Sequence, residues 1–401
     1  MPERVGLIVE VMGLGREYQP LSKFADIKGG KRLPKGKNLT SIPTKYPYIR
    51  VRDLAHSKVL ELTSAYQYVD EETRSSISRY TVDADDIIIS IVGTIGLLAK
   101  VGKTLRGANL TENCAKIVNI KNLDRDFLYY YLLSDIGQLT IDSITVGAVQ
   151  AKLPLKNIQD IPIPLVPLPE QKRIAAILSA LDDKIELNNR MNNNLEEQAQ
   201  AVFKSWFVDF EPFIDGDFFD SELGKIPVGW RVGKFSELVT VKYGKDHKKL
   251  ANGSIPVFGS GGIMRFVDTA LYNRETVLIP RKGTLNNVLY INRPFWSVDT
   301  MFFTEMKGSN LAKFVYFFIK AKDLASLNAG SAVPSMTTDI LNALHVVIPS
   351  GGVLANFENI VGVQFEQMQV NAMQSSILGN LRDTLLPRLM SGELPVPEIE
   401  P

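Results

Sequence analysis

Cysteine appears once in the 401-residue chain, at Cys114, and histidine three times. A single thiol cannot build an internal disulfide and fits a reducing compartment. So few thiols and imidazoles leave a zinc centre short of ligands. No apolar run reaches the roughly eighteen residues that suggest a membrane span. The opening MPERVGLIVEVMG is too short and polar for a signal peptide. The expected location is the cytoplasm. Charge of one sign is also missing: 45 Lys and Arg against 44 Asp and Glu leave +1. That balance permits a nucleic-acid binder only if basic residues cluster and acidic ones sit elsewhere. There is no Walker or dinucleotide Gly loop, no metal-ligand spacing and no Ser-His-Asp set. The lack of a catalytic centre is itself informative.

What is present is organised around two long helical stretches. Pro169 to Phe210 has no internal Gly or Pro, and its apolar residues return at coiled-coil spacing: Ile174, Ile177, Leu181, Ile185, Met191, Leu195, Val202, Trp206. Forty helical residues make a rod about 60 Å long at ~1.5 Å per residue. Such a stripe needs a partner. Asn356 to Met390 supplies it through Phe357, Ile360, Val361, Met368, Ile377, Leu378, Leu381 and Leu385. Aligning Asn188 with Asn371 also aligns Ile174 with Phe357 and Leu195 with Leu378, at a shift of 183 (371 − 188). Asn188 and Asn371 take core-type positions, where an Asn either fixes register or sits at the seam edge facing water.

The segments before each helix repeat as well. LSKFADIKGGK (21–31) matches FSELVTVKYGK (235–245), and DDIIISIVGTI (85–95) matches ETVLIPRKGTL (275–285). DFLYYYL (126–132) matches KFVYFFI (313–319), and DIPIP (160–164) matches HVVIP (345–349). GAVQAKLPLKNI (147–158) resembles GSAVPSMTTDI (330–340) with one residue of slippage. The division is a first domain over 1–167, a helix over 168–210, a second domain over 211–350, a helix over 351–391 and a short tail over 392–401. The stretch 211–230 reads as a Gly/Pro/Asp-rich linker. The expected class is α+β: two similar mixed α/β domains joined by two long helices in an antiparallel coiled coil, with internal pseudo-twofold symmetry. A twofold-related reader suits a two-part DNA site, whose halves recur on one face about every 34 Å.

Basic residues gather in matching loops. The first domain offers Lys31, Arg32, Lys35 and Lys37, with Arg50 and Arg52 on one face of a strand in YPYIRVRDL (46–54). The second offers Lys245, His247, Lys248, Lys249, Arg281 and Lys282. Such residues contact phosphates, and Arg reads guanine by paired hydrogen bonds. Lys-rich loops are also common as plain solvated surface. The match of Lys31 with Lys245 favours function. Gln150 and Lys152, with Ser331 and Ser335 in the corresponding loop, are weaker candidates. Two other readings stand beside DNA binding. Asp299 and Glu305 faintly resemble a nuclease carboxylate set, and a coiled-coil adaptor needs no DNA at all.

At PLPEQKRIAAILSALDDKIE the chain resembles the specificity subunits of type I restriction-modification systems. GKRLPKG (30–36), GSGGI (259–263), KGT (282–284), PFWSVDT (294–300) and LLPRLMSGEL (385–394) add to the resemblance. The resemblance covers nearly the whole chain. It implies two target-recognition domains, each reading half of a split DNA sequence, on helices that dock two modification subunits. Those partners would carry S-adenosylmethionine and methylate adenine. Restriction subunits would cut DNA using ATP and magnesium. The chain itself would hold no cofactor or metal and catalyse nothing. The second helix lacks the PLPEQKR entry, so docking at the two helices need not be equivalent. If the helices set the unread gap, one added heptad in both lengthens the spacer by about 10 Å, or roughly three base pairs. Mapping the target of that variant should show the gap widened; an unchanged gap rejects the ruler.

Overall fold

A computed structural model describes residues 17–55, 58–147, 149–327 and 335–396. The opening sixteen residues, Ser331 and residues 397–401 of the tail lie outside them. The chain forms two compact units: Met1–Asn188 with Met373–Pro401, and Asn189–Ala372.

Unit 1 is built on a five-stranded sheet in the order Asp26–Gly29, Cys114–Val118, Ile87–Ser90, Leu98–Val101, Val59–Leu60. Its central strand shows why an unbroken apolar run was needed. Ile87 and Ile89 pack into the main core with the helix Arg125–Leu133, whereas Ile88 points to a second core with Leu60, Ala99 and Val101. Alternate side chains of a strand face opposite ways, so a strand covered on both faces cannot alternate with polar residues. Gly93 (φ +83°) and Gly96 (φ +84°) make the turn to the next strand. The Asp124 carboxylate starts the helix by accepting from the Asp126 and Phe127 amides. A smaller sheet runs Gln67–Tyr68, Pro47–Ile49, Asn109–Leu110, the last pair parallel.

Unit 2 repeats this plan. Its main sheet runs Val239–Tyr243, Met301–Met306, Thr276–Pro280, Leu289–Ile291, and its smaller one Gly262–Val267, Asn252–Gly259, Trp296–Ser297, again with the last pair parallel. Hydrogen bonds correct one detail of the repeat. Lys152 bridges to Val92 and Ser335 to Lys282, while the Leu153 amide donates to Ile91 O and the Met336 amide to Arg281 O. Lys152 therefore corresponds to Ser335 at the same shift of 183, without slippage. The stretch read as a linker is folded: Phe218–Ser221 pairs with Gly224–Pro227, and Trp230 is buried against Phe207, Phe210 and Phe213.

The long helices span Leu168–Phe207 and Gly351–Ser391. In unit 1, Arg382 Nη1 donates to Asp182 Oδ1 at 2.7 Å, and Asn188 Nδ2 donates to Gln374 Oε1 at 3.0 Å and Ser375 Oγ at 3.2 Å. In unit 2, Asn371 Nδ2 donates to Asn192 Oδ1 at 2.8 Å, and Phe207 meets Phe357 at 4.9 Å between ring centroids. In each unit numbering rises on one helix as it falls on the other, so the pairing is antiparallel. Asn188 and Asn371 are buried rather than at a wet seam edge. They also use equivalent partners, since Asn192 and Ser375 are related by the same shift of 183.

The apolar stripe differs from its expected course. Ile177, Met191, Ile360, Ile377 and Leu381 are exposed, and Leu195 and Leu378 only half-buried. The buried line runs instead through Leu178, Ala199, Phe203 and Phe207, and through Leu354, Phe365, Leu386 and Leu389. A heptad reading assumes a helix as the only partner. Here each helical half also packs on a domain core, which turns the buried face toward the domain. Leu389→Ala should therefore cost about 2–5 kcal/mol in denaturant unfolding, whereas Ile377→Ala should stay within about 0.5 kcal/mol. Equal losses would restore the heptad stripe.

Candidate nucleic-acid interface

In unit 1 the loop joining Asn109–Leu110 to Cys114–Val118 is the frame for the basic residues. The Gly30 amide donates to Cys114 O at 3.0 Å and the Lys31 amide to Leu110 O at 2.9 Å. A Cβ on Gly30 would run into the Thr111 carbonyl, so only glycine allows this approach. Tyr48 OH donates to Lys31 O at 2.8 Å, and Lys31 Nζ lies 5.6 Å from the Tyr80 ring centroid. On the other side of the loop the Ile91 amide donates to Asn113 O, followed by the Gly93 turn and the bridge from Val92 to Lys152. Lys31, Arg32 and Lys152 are thus brought around one loop, with the exposed Gln150 two residues from Lys152.

Unit 2 builds the same frame from the loop between Trp296–Ser297 and Met301–Met306. The Lys245 amide donates to Ser297 O at 2.8 Å, Trp296 Nε1 donates to Lys245 O at 2.9 Å, and a Cβ on Gly244 would meet the Val298 carbonyl. Across the loop the Arg281 amide donates to Thr300 O at 2.8 Å. Arg281 also reaches Asp299 O through Nη1 and lies 5.4 Å from the Tyr243 ring centroid. The Ser260 carbonyl accepts from Asn287 Nδ2 at 2.8 Å, which sets the Gly-rich hairpin tip beside the turn at Gly283. Lys248 and Lys249 are exposed, and His247 is half-buried.

Several of these cations already have anionic neighbours. Arg32 Nε donates to Glu112 Oε1 at 2.6 Å, although the Arg32 side chain is otherwise exposed. Burial opposes ionisation of Glu112, but the Arg32 bond and charge, the residue's own amide and the Thr111 hydroxyl together outweigh it and hold that carboxyl below its ordinary value. Lys37 lies between Glu72 at 2.5 Å and Asp70 at 3.5 Å, apart from the Lys31 loop partners. Lys35 is exposed. Arg50 and Arg52 do not share a strand face. The strand stops at Ile49, and a 3-10 turn over Val51–Ala55 follows, because the Asp53 carboxylate accepts the Arg50 amide and turns the chain. Arg50 is half-buried and bonded to Gln67 and, through its amide, Asp53, and burial pushes its guanidinium pKa down, while Arg52 stays exposed. Glu112, Tyr48 and Tyr80 escaped the sequence reading, since nothing in their spacing ties them to a basic loop 17 to 80 residues away. The nuclease candidates are separately occupied, Asp299 by Arg281 at 3.8 Å and Glu305 by Lys242 at 3.6 Å. Among the described residues no group of three or more His, Cys, Asp or Glu can hold a metal, and no helix is long and apolar enough to cross a membrane.

Two similar units define a duplicated protein, and the comparisons with known proteins give its family. The family described as "Type I restriction modification DNA specificity domain" matches residues 16–197 and 227–351, and the chain belongs to that family. It is similar to the type I restriction enzyme MjaIX specificity subunit of Methanocaldococcus jannaschii, at 25% identity over 88% of both chains. It is also similar to the HindI specificity subunit of Haemophilus influenzae, at 22% identity over 86% of this chain and 87% of that one. A solved type I restriction-modification S subunit from M. genitalium shares the fold, with a TM-score of 0.56 at 18% identity, over 96% of this chain and 97% of that one. The chain is a non-catalytic subunit that supplies DNA sequence specificity to a type I complex, and the chemistry lies with other subunits.

Cys114 closes the frame loop of unit 1 and reports on it. Burial first, with Asp53 and Glu112 adding to it, pushes the thiol up to about 12. Little thiolate exists below that pH, and the thiolate is the nucleophile. The folded chain should therefore resist alkylation at pH 8 and react only on unfolding. Labelling at the rate of a free thiol would show the loop to be open.

Proposed function

We propose that each unit reads one half of a two-part DNA target, through the loops gathered around Leu110–Cys114 in unit 1 and Ser297–Met301 in unit 2. The observation that carries this reading is the shared frame: a Gly-Lys strand end bonded to the same loop in both units, with a Gly-Thr turn on its far side. Lys31 and Lys245, with Lys35, Lys248 and Lys249, bind phosphates. Arg32, Arg281, Lys282, Gln150 and Lys152 extend toward base edges, and Arg32 exchanges Glu112 for DNA. Lys37, Arg52 and His247 contribute at the margins, and Arg50 stiffens the loop after Ile49. The recognition domains are residues 1–167 and 211–350, and the helices between and after them form the spacer.

The partners are two modification subunits that bring S-adenosylmethionine and methylate adenine, together with restriction subunits using ATP and magnesium, all in the cytoplasm. The second long helix supports such docking. In unit 2, Val363 and Val370 are 67 and 60% exposed, and in unit 1 Met373 and Ile377 are 69 and 61% exposed, each pair apolar and at helical spacing. Buried Asn188 and Asn371 fix the register of the helices, with Leu195 and Leu378 beside them.

Selection from random duplexes, with the modification subunits present, should return two short tracts separated by an unread gap. Lys31→Ala and Lys245→Ala should each weaken binding across sequences and lower the salt slope by about 1. One continuous tract, or unchanged salt dependence in both variants, would reject the reading.

A further inference from the structure

Each unit buries the same helix, Arg125–Leu133 or Ala312–Lys320, in a core shared with the long helices. The chemistry of these two seats differs. In unit 1, Tyr130 OH donates to Asp182 Oδ2 at 2.6 Å, and Arg382 Nη1 donates to the other oxygen at 2.7 Å. Lys58 Nζ stands 3.9 Å from the same carboxylate and 5.1 Å from the Tyr130 ring centroid. Tyr130 and Asp182 are both buried.

At the equivalent positions unit 2 has only carbon. The shift that aligns the domain helices, 187 (313 − 126), sets Phe317 on Tyr130, and the shift of 183 sets Phe365 on Asp182 and Ala199 on Arg382. Phe317 and Phe365 meet edge to face, with ring centroids 5.8 Å apart. Unit 2 keeps its charges elsewhere. Buried Lys313 donates to Glu358 at 2.5 Å and to Glu275 at 3.0 Å, and Glu196 accepts from Tyr316 and Lys320. The unit 1 counterparts are Asp126 for Lys313, Ala175 for Glu358 and Gly379 for Glu196. The charge on the domain helix is therefore reversed, with Asp126 bonded to Lys100 at 2.6 Å.

We infer that these contacts form a positional key: each recognition domain fits its own helical seat, and the two cannot exchange places in this chain. The second domain on the first seat leaves Asp182 facing Phe317, which has no hydroxyl, and sets Lys313 and Lys320 over Ala175 and Gly379. The first domain on the second seat sets Asp126 against Glu358 and the Tyr130 hydroxyl against Phe365. A buried polar or charged group that loses its partner is costly, and a buried like-charge pair is worse. The inference does not depend on which loops touch DNA, so folding is read apart from DNA binding.

The test is a full-length chimera in which residues 235–349 replace residues 21–164, placing the second domain on both seats. It should melt at least about 5 °C below the native chain. A second chimera carrying Asp182→Phe, Arg382→Ala, Ala175→Glu and Gly379→Glu should regain most of that loss. A first chimera as stable as the native chain would overturn the key. So would a second chimera that recovers nothing, because the mismatch would then lie outside these four positions.

Discussion

The antiparallel pairing of long-helix halves is the constraint on which each unit's structure depends. Leu386, Leu389 and Met390 complete the core around Ile87, Phe127 and Ile174 in unit 1. Ala199, Phe203 and Phe207 join Leu354, Phe357 and Val361 in the core of unit 2. Neither core is made by the strands and short helices of its domain alone. The first cannot be finished until the end of the chain has returned. Burying a Phe or Leu in this way contributes about 1.5–3 kcal/mol each, and the buried Asn188 and Asn371 then choose one register among those the apolar residues would accept.

Given that closure, the basic loops need only be held. The backbone does most of this, through Gly30 and Gly244 against a carbonyl and the Lys31 and Lys245 amides on the loop behind. Because the frame is main-chain, the side chains that project from it are released from structural duty. Lys245, Lys248 and Lys249 of unit 2 need not resemble Lys31, Arg32 and Gln150 of unit 1 beyond the shared Gly-Lys. Two units of the same architecture can therefore carry different side chains at their loop tips. Arg32 on Glu112 shows a further economy: a carboxylate from the loop behind holds the guanidinium extended.

Much of this was legible in the residues. The Ile87–Ile89 run, the Phe127–Leu132 cluster and the Gly-Thr turns are local signals strong enough to set a strand, a helix and a turn, and the constant shift of 183 tied the two long helices together. What was not legible is tertiary. The heptad reading favoured Ile177 and Ile377 over Leu178 and Phe203, because the pull of a domain core on a helix face leaves no periodic mark. Arg50 looked exposed by alternation, but Asp53 turns the chain and draws it inward. Tyr130, Asp182 and Arg382 come from three distant stretches, and only folding makes them a network.

The most direct measurement is amide hydrogen exchange on the chain ended after Ala372, which lacks the second half of the second helix. Strands Ile87–Ser90 and Cys114–Val118 should lose their protection, while Thr276–Pro280 and Met301–Met306 keep theirs. Full protection in both pairs of strands would contradict the claim that opposite halves of the long helices close each unit.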